Sequence, residues 1–207
     1  SIHDPLTGVL NRRGLQDVLS MTLSMTQRMG ISVQVLLLDL DNFKQINDHY
    51  GHGVGDNILL SMTQKIQRGV RQSDYIARVG GDEFMIFLLD SREAEAMIVA
   101  EKIRLSIAQS DNVLPSGDIV KTTCSIGIVP LGSMPITIDG LLQKLHLSLH
   151  LSKGNGKNRI AYHGRLGQIE SRNPDMSVEF KKVLMAGEKF YTAAQPIFNL
   201  QDMSKIG

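Results

Sequence analysis

Residues 75–79 and 83–89 are two apolar runs separated by Gly80-Gly81, and this pattern predicts a β-hairpin with a glycine pair at its tip. Both glycines tolerate positive φ, so a tight turn is expected. Two acids, Asp82 and Glu83, follow the glycines. A further run, residues 31–40, is short, apolar and β-branched at its start, which predicts a buried strand. It too ends in acids, Asp39 and Asp41. A fold that makes the hairpin and this strand sheet neighbours brings acids from two strand ends together.

The remaining elements fit such a sheet. Residues 42–55 are rich in Asn, Asp, His and Gly and read as a loop, with Asp56 positioned to cap the helix after it. Ile58, Met62, Ile66 and Val70 recur every fourth residue, an apolar helical stripe. Ala96, Ala100, Ile103 and Ile107 make a second helix of 92–109. Residues 120–129 read as a strand, 139–152 as a third helix stopped by Gly154-Asn155-Gly156, and 158–162 as a closing strand. The order β-α-β-β-α-β-α-β predicts an α/β fold of the α+β kind. Its core is a ferredoxin-like, polymerase-palm-like sheet with antiparallel strands and flanking helices. After His163 the periodicity fades: 164–177 reads as a linker, 178–190 as one more helix, and 195–200 as a strand entering a turn.

Composition excludes several classes. Of 207 residues, 42% are hydrophobic, enough for a core. Lys and Arg number 22 against 21 Asp and Glu, so a nucleic-acid-coating protein is not expected. The single cysteine, Cys124, excludes a disulfide framework or a cysteine metal cluster, and reads as a small buried hydrophobe. No apolar run reaches the ~20 residues of a membrane span. A cytoplasmic location is expected, with membrane contact only through segments upstream. Ser1 stands where an initiator Met would, so a piece of a longer chain is expected.

The acids carry the chemistry. Asp39 and Asp41, two apart on a strand, point to one face. Joined by Asp82 and Glu83 they make an oxygen-rich site for Mg²⁺ of the type that serves phosphoryl or nucleotidyl transfer.

The run Arg78-Val79-Gly80-Gly81-Asp82-Glu83-Phe84 resembles the signature of the GGDEF family, the diguanylate cyclases. Asp4-Pro5-Leu6-Thr7-Gly8-Val9-Leu10-Asn11-Arg12-Arg13 resembles the family's opening segment. Asp39-Leu40-Asp41-Asn42-Phe43-Lys44-Gln45-Ile46-Asn47-Asp48 resembles its metal strand and guanine loop, continued by Gly51-His52-Gly53-Val54-Gly55-Asp56. Ser125-Ile126-Gly127-Ile128 and the segment from Lys153 to Arg159 match later motifs, so the resemblance covers about residues 1–163.

The resemblance implies condensation of two GTP molecules into cyclic di-GMP and pyrophosphate, across a homodimer in which each domain holds one GTP. Asp39, Asp82 and the Leu40 carbonyl are then Mg²⁺ (or Mn²⁺) ligands. Gly80 and Gly81 leave room for the triphosphate, and Asp82 or Glu83 is the candidate base. Backbone N–H groups around Asn42 and Phe43, with Lys44 beside them, face the phosphates. Asn47 and Asp56 read guanine. Lys153 and Lys157 pair with the β and γ phosphates. Lys157 stands where the family often has Arg, keeping the charge without the guanidinium fork.

Arg71-Gln72-Ser73-Asp74 resembles the family's Arg-x-x-Asp product-inhibition site, in which Arg71 and Asp74 hold cyclic di-GMP. A third reading has the domain as a module that only senses cyclic di-GMP through that pair. The helix before Lys153 departs from the family: His146 and His150 replace its usual Asp and Tyr. No acid or cysteine nearby in sequence completes a metal set, so the histidines read as packing or surface. Finally, 191–200 resembles the entry strand of the EAL domain, the cyclic di-GMP phosphodiesterase. The expected organisation is a GGDEF domain at 1–163, a linker and helix at 164–190, and the truncated start of an EAL domain at 191–207. An alternative function follows, a GTP-binding regulatory module tuning an attached phosphodiesterase.

Overall fold

Strand β1 (Val33–Leu40) is buried at every one of its eight positions and forms the centre of a five-stranded sheet. In this computed structural model, residues 1–114, 116–132 and 136–163 are described. The elements expected across 164–207 lie outside them. On one side β1 pairs antiparallel with β3 (Glu83–Leu88), whose own partner is β2 (Tyr75–Arg78). On the other it pairs antiparallel with β6 (Cys124–Leu131), to which β7 (Ile160–Tyr162) adds in parallel. The order β2-β3-β1-β6-β7 is the expected ferredoxin-like sheet with one added strand.

Helices cover both faces of this sheet, which is why β1 carries an almost unbroken apolar run. Leu36, Leu38 and Leu40 face one core with Phe43 and Ile46 of α2 (Phe43–Tyr50). Ile58, Met62 and Ile66 of α3 (His52–Gly69) and Ala96, Ala100 and Ile103 of α4 (Glu93–Ala108) complete that core. Val33, Val35 and Leu37 face the other core. There they meet Leu15, Val18 and Leu19 of α1 (Arg12–Met29), and Leu141, Leu145 and Leu149 of α5 (Ile138–Gly154). Full burial of each such side chain contributes on the order of 1.5–3 kcal/mol. Cys124 is fully buried, as expected, and burial pushes its thiol pKa far up, so it acts as packing.

Several expectations need correction. Helix α1 was not foreseen; Asn11 caps its first turn through Oδ1, and Gly30 ends it in a left-handed conformation. The polar stretch 42–55 is mostly helical, because burying Phe43 and Ile46 is enough to anchor α2. Asp56 lies inside α3 and caps nothing; Gly51, at φ 84°, starts that helix. The strand expected over 120–129 breaks at Thr122-Thr123. Its first part becomes β5 (Ile119–Lys121), which pairs with β4 (Asp111–Val113) in a small hairpin of its own. Among the described residues no helix is long and apolar enough to cross a membrane.

Candidate active site

The register of β1 on β3 places Asp39 directly opposite Glu83. The hairpin turn closes when Val79 N–H donates to the Glu83 carbonyl at 3.0 Å, so Asp82 comes to the same strand end. Neither Gly80 nor Gly81 has positive φ, contrary to expectation. A Cβ on Gly81 would meet nothing within 4 Å, and one on Gly80 would meet only the end of the Glu83 side chain. The chain's own packing therefore does not demand glycine at the turn. Space beside the acids is what the pair provides.

Arg78 braces this turn from within. Its Nε and Nη2 donate to the Gly81 carbonyl at 2.9 and 2.7 Å, and its Nη1 lies 3.2 Å from Asp4. Asp4 also accepts from the Thr7 amide and hydroxyl. Burial alone would raise the Asp4 pKa, but the Thr7 and Arg78 bonds outweigh it and the value is lowered. The opening segment thus acts as a tie for the signature turn.

The three converging acids differ in their electrostatics. Burial, then the charge of Asp82, pushes Asp39 up to about 7 against the opposing pull of Lys153. Burial likewise raises Asp82. Glu83 goes the other way: a hydrogen bond from His146 lowers its pKa. Lys153 Nζ lies 2.7 Å from Asp39 Oδ1, and among the described residues that buried oxygen has no other partner. His146 Nε2 lies 2.9 Å from Glu83 Oε1. His146, expected as packing or surface, is exposed and also reaches the signature. Only its departure from the family pattern could have drawn attention to it.

Asp41 is not part of the cluster. The chain turns at Asn42 (φ 62°), and the buried Asp41 carboxylate accepts from Thr123 Oγ1 and Ser125 Oγ, both at 2.7 Å, and from Asn158 N–H at 2.9 Å. It ties β6 and the 157–159 turn to the end of β1.

Helix α2 begins right after that turn. Asn42 makes no side-chain capping bond, so it leaves the first-turn amides of Phe43 and Lys44 uncapped. Its Oδ1 instead accepts from Lys157 Nζ at 2.6 Å. The side chain of Phe43 packs in the core, and Lys44 is exposed. Leu40 ends β1 opposite Cys124. Asn47 and Asp56 sit on α2 and α3 where these helices approach closely. A Cβ on Gly55 would lie 1.9 Å from Asn47 Oδ1. Among the described residues that oxygen is buried without a partner, an acceptor left unsatisfied beside Gly55, which exposed Asp56 follows.

The donor set fits a hard divalent cation. Asp39 and Asp82 supply partly buried carboxylate oxygens at one strand end, and among the described residues Asp39 Oδ1 has no partner but the Lys153 ammonium. Among the described residues no group of three or more His, Cys, Asp or Glu forms a ready-made metal cage. This suits Mg²⁺, which is commonly held by one or two carboxylates and completed by water and substrate phosphates.

The family model for the diguanylate cyclase GGDEF domain matches residues 1–159. The chain belongs to this GGDEF family. Among its relatives, diguanylate cyclase DosC of Escherichia coli K12 is 36% identical over 157 residues, 76% of this chain and 34% of DosC. The response regulator PleD of Caulobacter vibrioides is 32% identical over 161 residues, 77% of this chain and 36% of PleD. The cyclic di-GMP phosphodiesterase NbdA of Pseudomonas aeruginosa is 30% identical over 200 residues, 97% of this chain and 25% of NbdA. The chain therefore spans a quarter to just over a third of these proteins' lengths. Among solved structures, diguanylate cyclase SiaD of P. aeruginosa, in complex with its activator SiaC, superposes with a TM-score of 0.74 at 31% identity, covering 78% of this chain and 62% of SiaD. The GGDEF domain of YfiN (TpbB) from the same organism gives 0.72 at 32% identity, covering 80% and 99%.

The Arg-x-x-Asp pair of this GGDEF domain lies just before β2. Asp74 Oδ2 accepts from the Arg71 amide at 2.8 Å, and Oδ1 from the Leu89 amide at 3.1 Å. Arg71 is exposed.

Proposed function

We propose that this domain is a diguanylate cyclase condensing two GTP molecules into cyclic di-GMP with release of pyrophosphate. The observation that carries the reading is the register of Asp39 against Glu83, with Asp82 beside them and a glycine turn that the fold itself does not require. Asp39 and Asp82, with the Leu40 carbonyl, would hold Mg²⁺ or Mn²⁺. When bound, the ion neutralises triphosphate charge and makes the attacking hydroxyl more acidic. Gly80 and Gly81 admit the phosphates. The Phe43 and Lys44 amides at the start of α2 receive phosphate oxygens. Lys153 exchanges its Asp39 partner for phosphate, and Lys157 supports the same group. Asn47 and Asp56 read the guanine edge, the carboxylate accepting from N–H donors.

Two domains must face each other, because each GTP supplies the 3′-hydroxyl that attacks the α-phosphate of the other. Asp82 or Glu83 takes the proton. Cyclic di-GMP then acts back through Arg71 and Asp74. The cyclase domain is placed at 1–163, with a linker at 164–190 and the start of an EAL phosphodiesterase domain at 191–207. The match to NbdA supports that organisation, because it runs over 97% of the chain, well past residue 159.

The same match favours a second reading, in which the domain binds GTP and tunes an attached phosphodiesterase without turnover. Incubating the protein with GTP and Mg²⁺ and assaying cyclic di-GMP separates the two. Product that disappears in Asp82→Asn supports the cyclase. Binding of GTP without product supports the regulator.

A further inference from the structure

Glu83 is held at one oxygen of its carboxylate. Oε1 lies 2.9 Å from His146 Nε2 on α5, and Oε2 reaches to within 3.3 Å of where a Gly80 side chain would begin. The glutamate thus runs from its partner on a helix toward the turn where the triphosphate is proposed to lie. The helix end of that span is firmly fixed. At Gly127 of β6, an added Cβ would lie 2.7 Å from the Leu149 amide nitrogen and 2.8 Å from the Leu145 carbonyl, so α5 rests backbone-on-backbone against the sheet. His146 and Lys153 are seven residues apart, two turns along one face of that helix, and they meet Glu83 and Asp39 respectively.

The pair is poorly suited to a structural role. His146 is 47% exposed and Glu83 26%, and ion pairs of this exposure contribute little to stability. Its consequence is orientation. Without the imidazole, Glu83 loses its anchor on α5, and the Lys153 ammonium, whose charge already acts on it, becomes an alternative partner.

We propose that His146 is a positioning residue for Glu83, holding its carboxylate across the signature turn in the orientation that turnover requires. The inference rests on the cyclase reading of the site. Its test compares His146→Ala, His146→Gln, Glu83→Gln and the His146→Ala/Glu83→Gln pair in the full chain. In His146→Ala, kcat/KM for GTP is expected to fall by roughly tenfold while Tm stays close to wild type, the mark of a misplaced group rather than a broken fold. His146→Gln, which keeps an N–H donor, restores most of the loss. The double variant is no slower than Glu83→Gln alone, because the two residues act as one.

Additive losses, or a kcat/KM loss that tracks Tm and is not restored by Gln, overturn the proposal. If the wild-type protein binds GTP but makes no cyclic di-GMP, the cyclase reading falls separately, and His146 is judged on GTP affinity by calorimetry. A shift in His146→Ala that vanishes in the Glu83→Gln background then sustains the positioning role. No shift, an equal shift in both backgrounds, or no GTP binding by the wild type refutes it.

Discussion

Lys153 Nζ lies 2.7 Å from Asp39 Oδ1, so a helix cation leans on the most buried acid of the site. Lys153 does not fully compensate the burial of Asp39, whose pKa remains at about 7. Between the ordinary value of 3.8 and about 7, the folded protein keeps a proton that the unfolded chain releases. Stability is therefore favoured below the unfolded value and declines as pH rises through the folded one. In metal-free buffer, Tm is expected to fall from about pH 4 to about pH 7, and Asp39→Asn to remove much of that fall. A Tm profile identical in wild type and Asp39→Asn would show that Asp39 titrates normally.

Two glycine substitutions separate a functional glycine from a structural one. Gly81→Ala places its Cβ in open space without positive φ. Its unfolding free energy should stay within about 0.5 kcal/mol of wild type while GTP affinity falls at least roughly tenfold. Gly127→Ala drives a Cβ into the α5 backbone and should cost about 1–3 kcal/mol or more in urea unfolding. Loss of stability in Gly81→Ala would mean that the turn itself needs the glycine.

The Asp4–Arg78 tie predicts long-range sensitivity at the N-terminus. Asp4→Ala removes two Thr7 bonds and leaves Arg78, with only 16% of its side chain exposed, without its counterion. The expected cost is about 1–3 kcal/mol, accompanied by lower turnover because the Gly81 carbonyl loses its brace. Unfolding that is shifted with turnover per folded molecule unchanged would confine the tie to stability.

At the proposed inhibitory site, the informative variant is Arg71→Ala. Asp74 already accepts two backbone amides, so replacing it disturbs the turn before β2 as well as any ligand. Arg71→Ala should leave Tm unchanged and weaken cyclic di-GMP binding by roughly tenfold or more in calorimetric titration. Unchanged affinity would remove the assignment.

What could be read in advance follows the range of the interactions. The hairpin, β1 and the stripe on α3 were visible because apolar periodicity is local, and Asp39 meeting the signature followed once the hairpin adjoined β1. Helix α2 looked like a loop because only Phe43 and Ile46 bury, too few for a periodic signal. The Asp41 and Asp39 carboxylates look equivalent in sequence, and only the fold gives Asp41 the Thr123, Ser125 and Asn158 donors while Asp39 meets Lys153. His146 lies 63 residues from Glu83, and no local pattern encodes that contact.

Because β1 is encased on both faces along its whole length, its terminal acid has almost no freedom to move on its own. The sheet works as a fixed bench. The parts fastened to its end that are not so encased are the glycine turn and the tether from Asp4. Rearrangement of the site would therefore move these fittings and leave the sheet itself as it was.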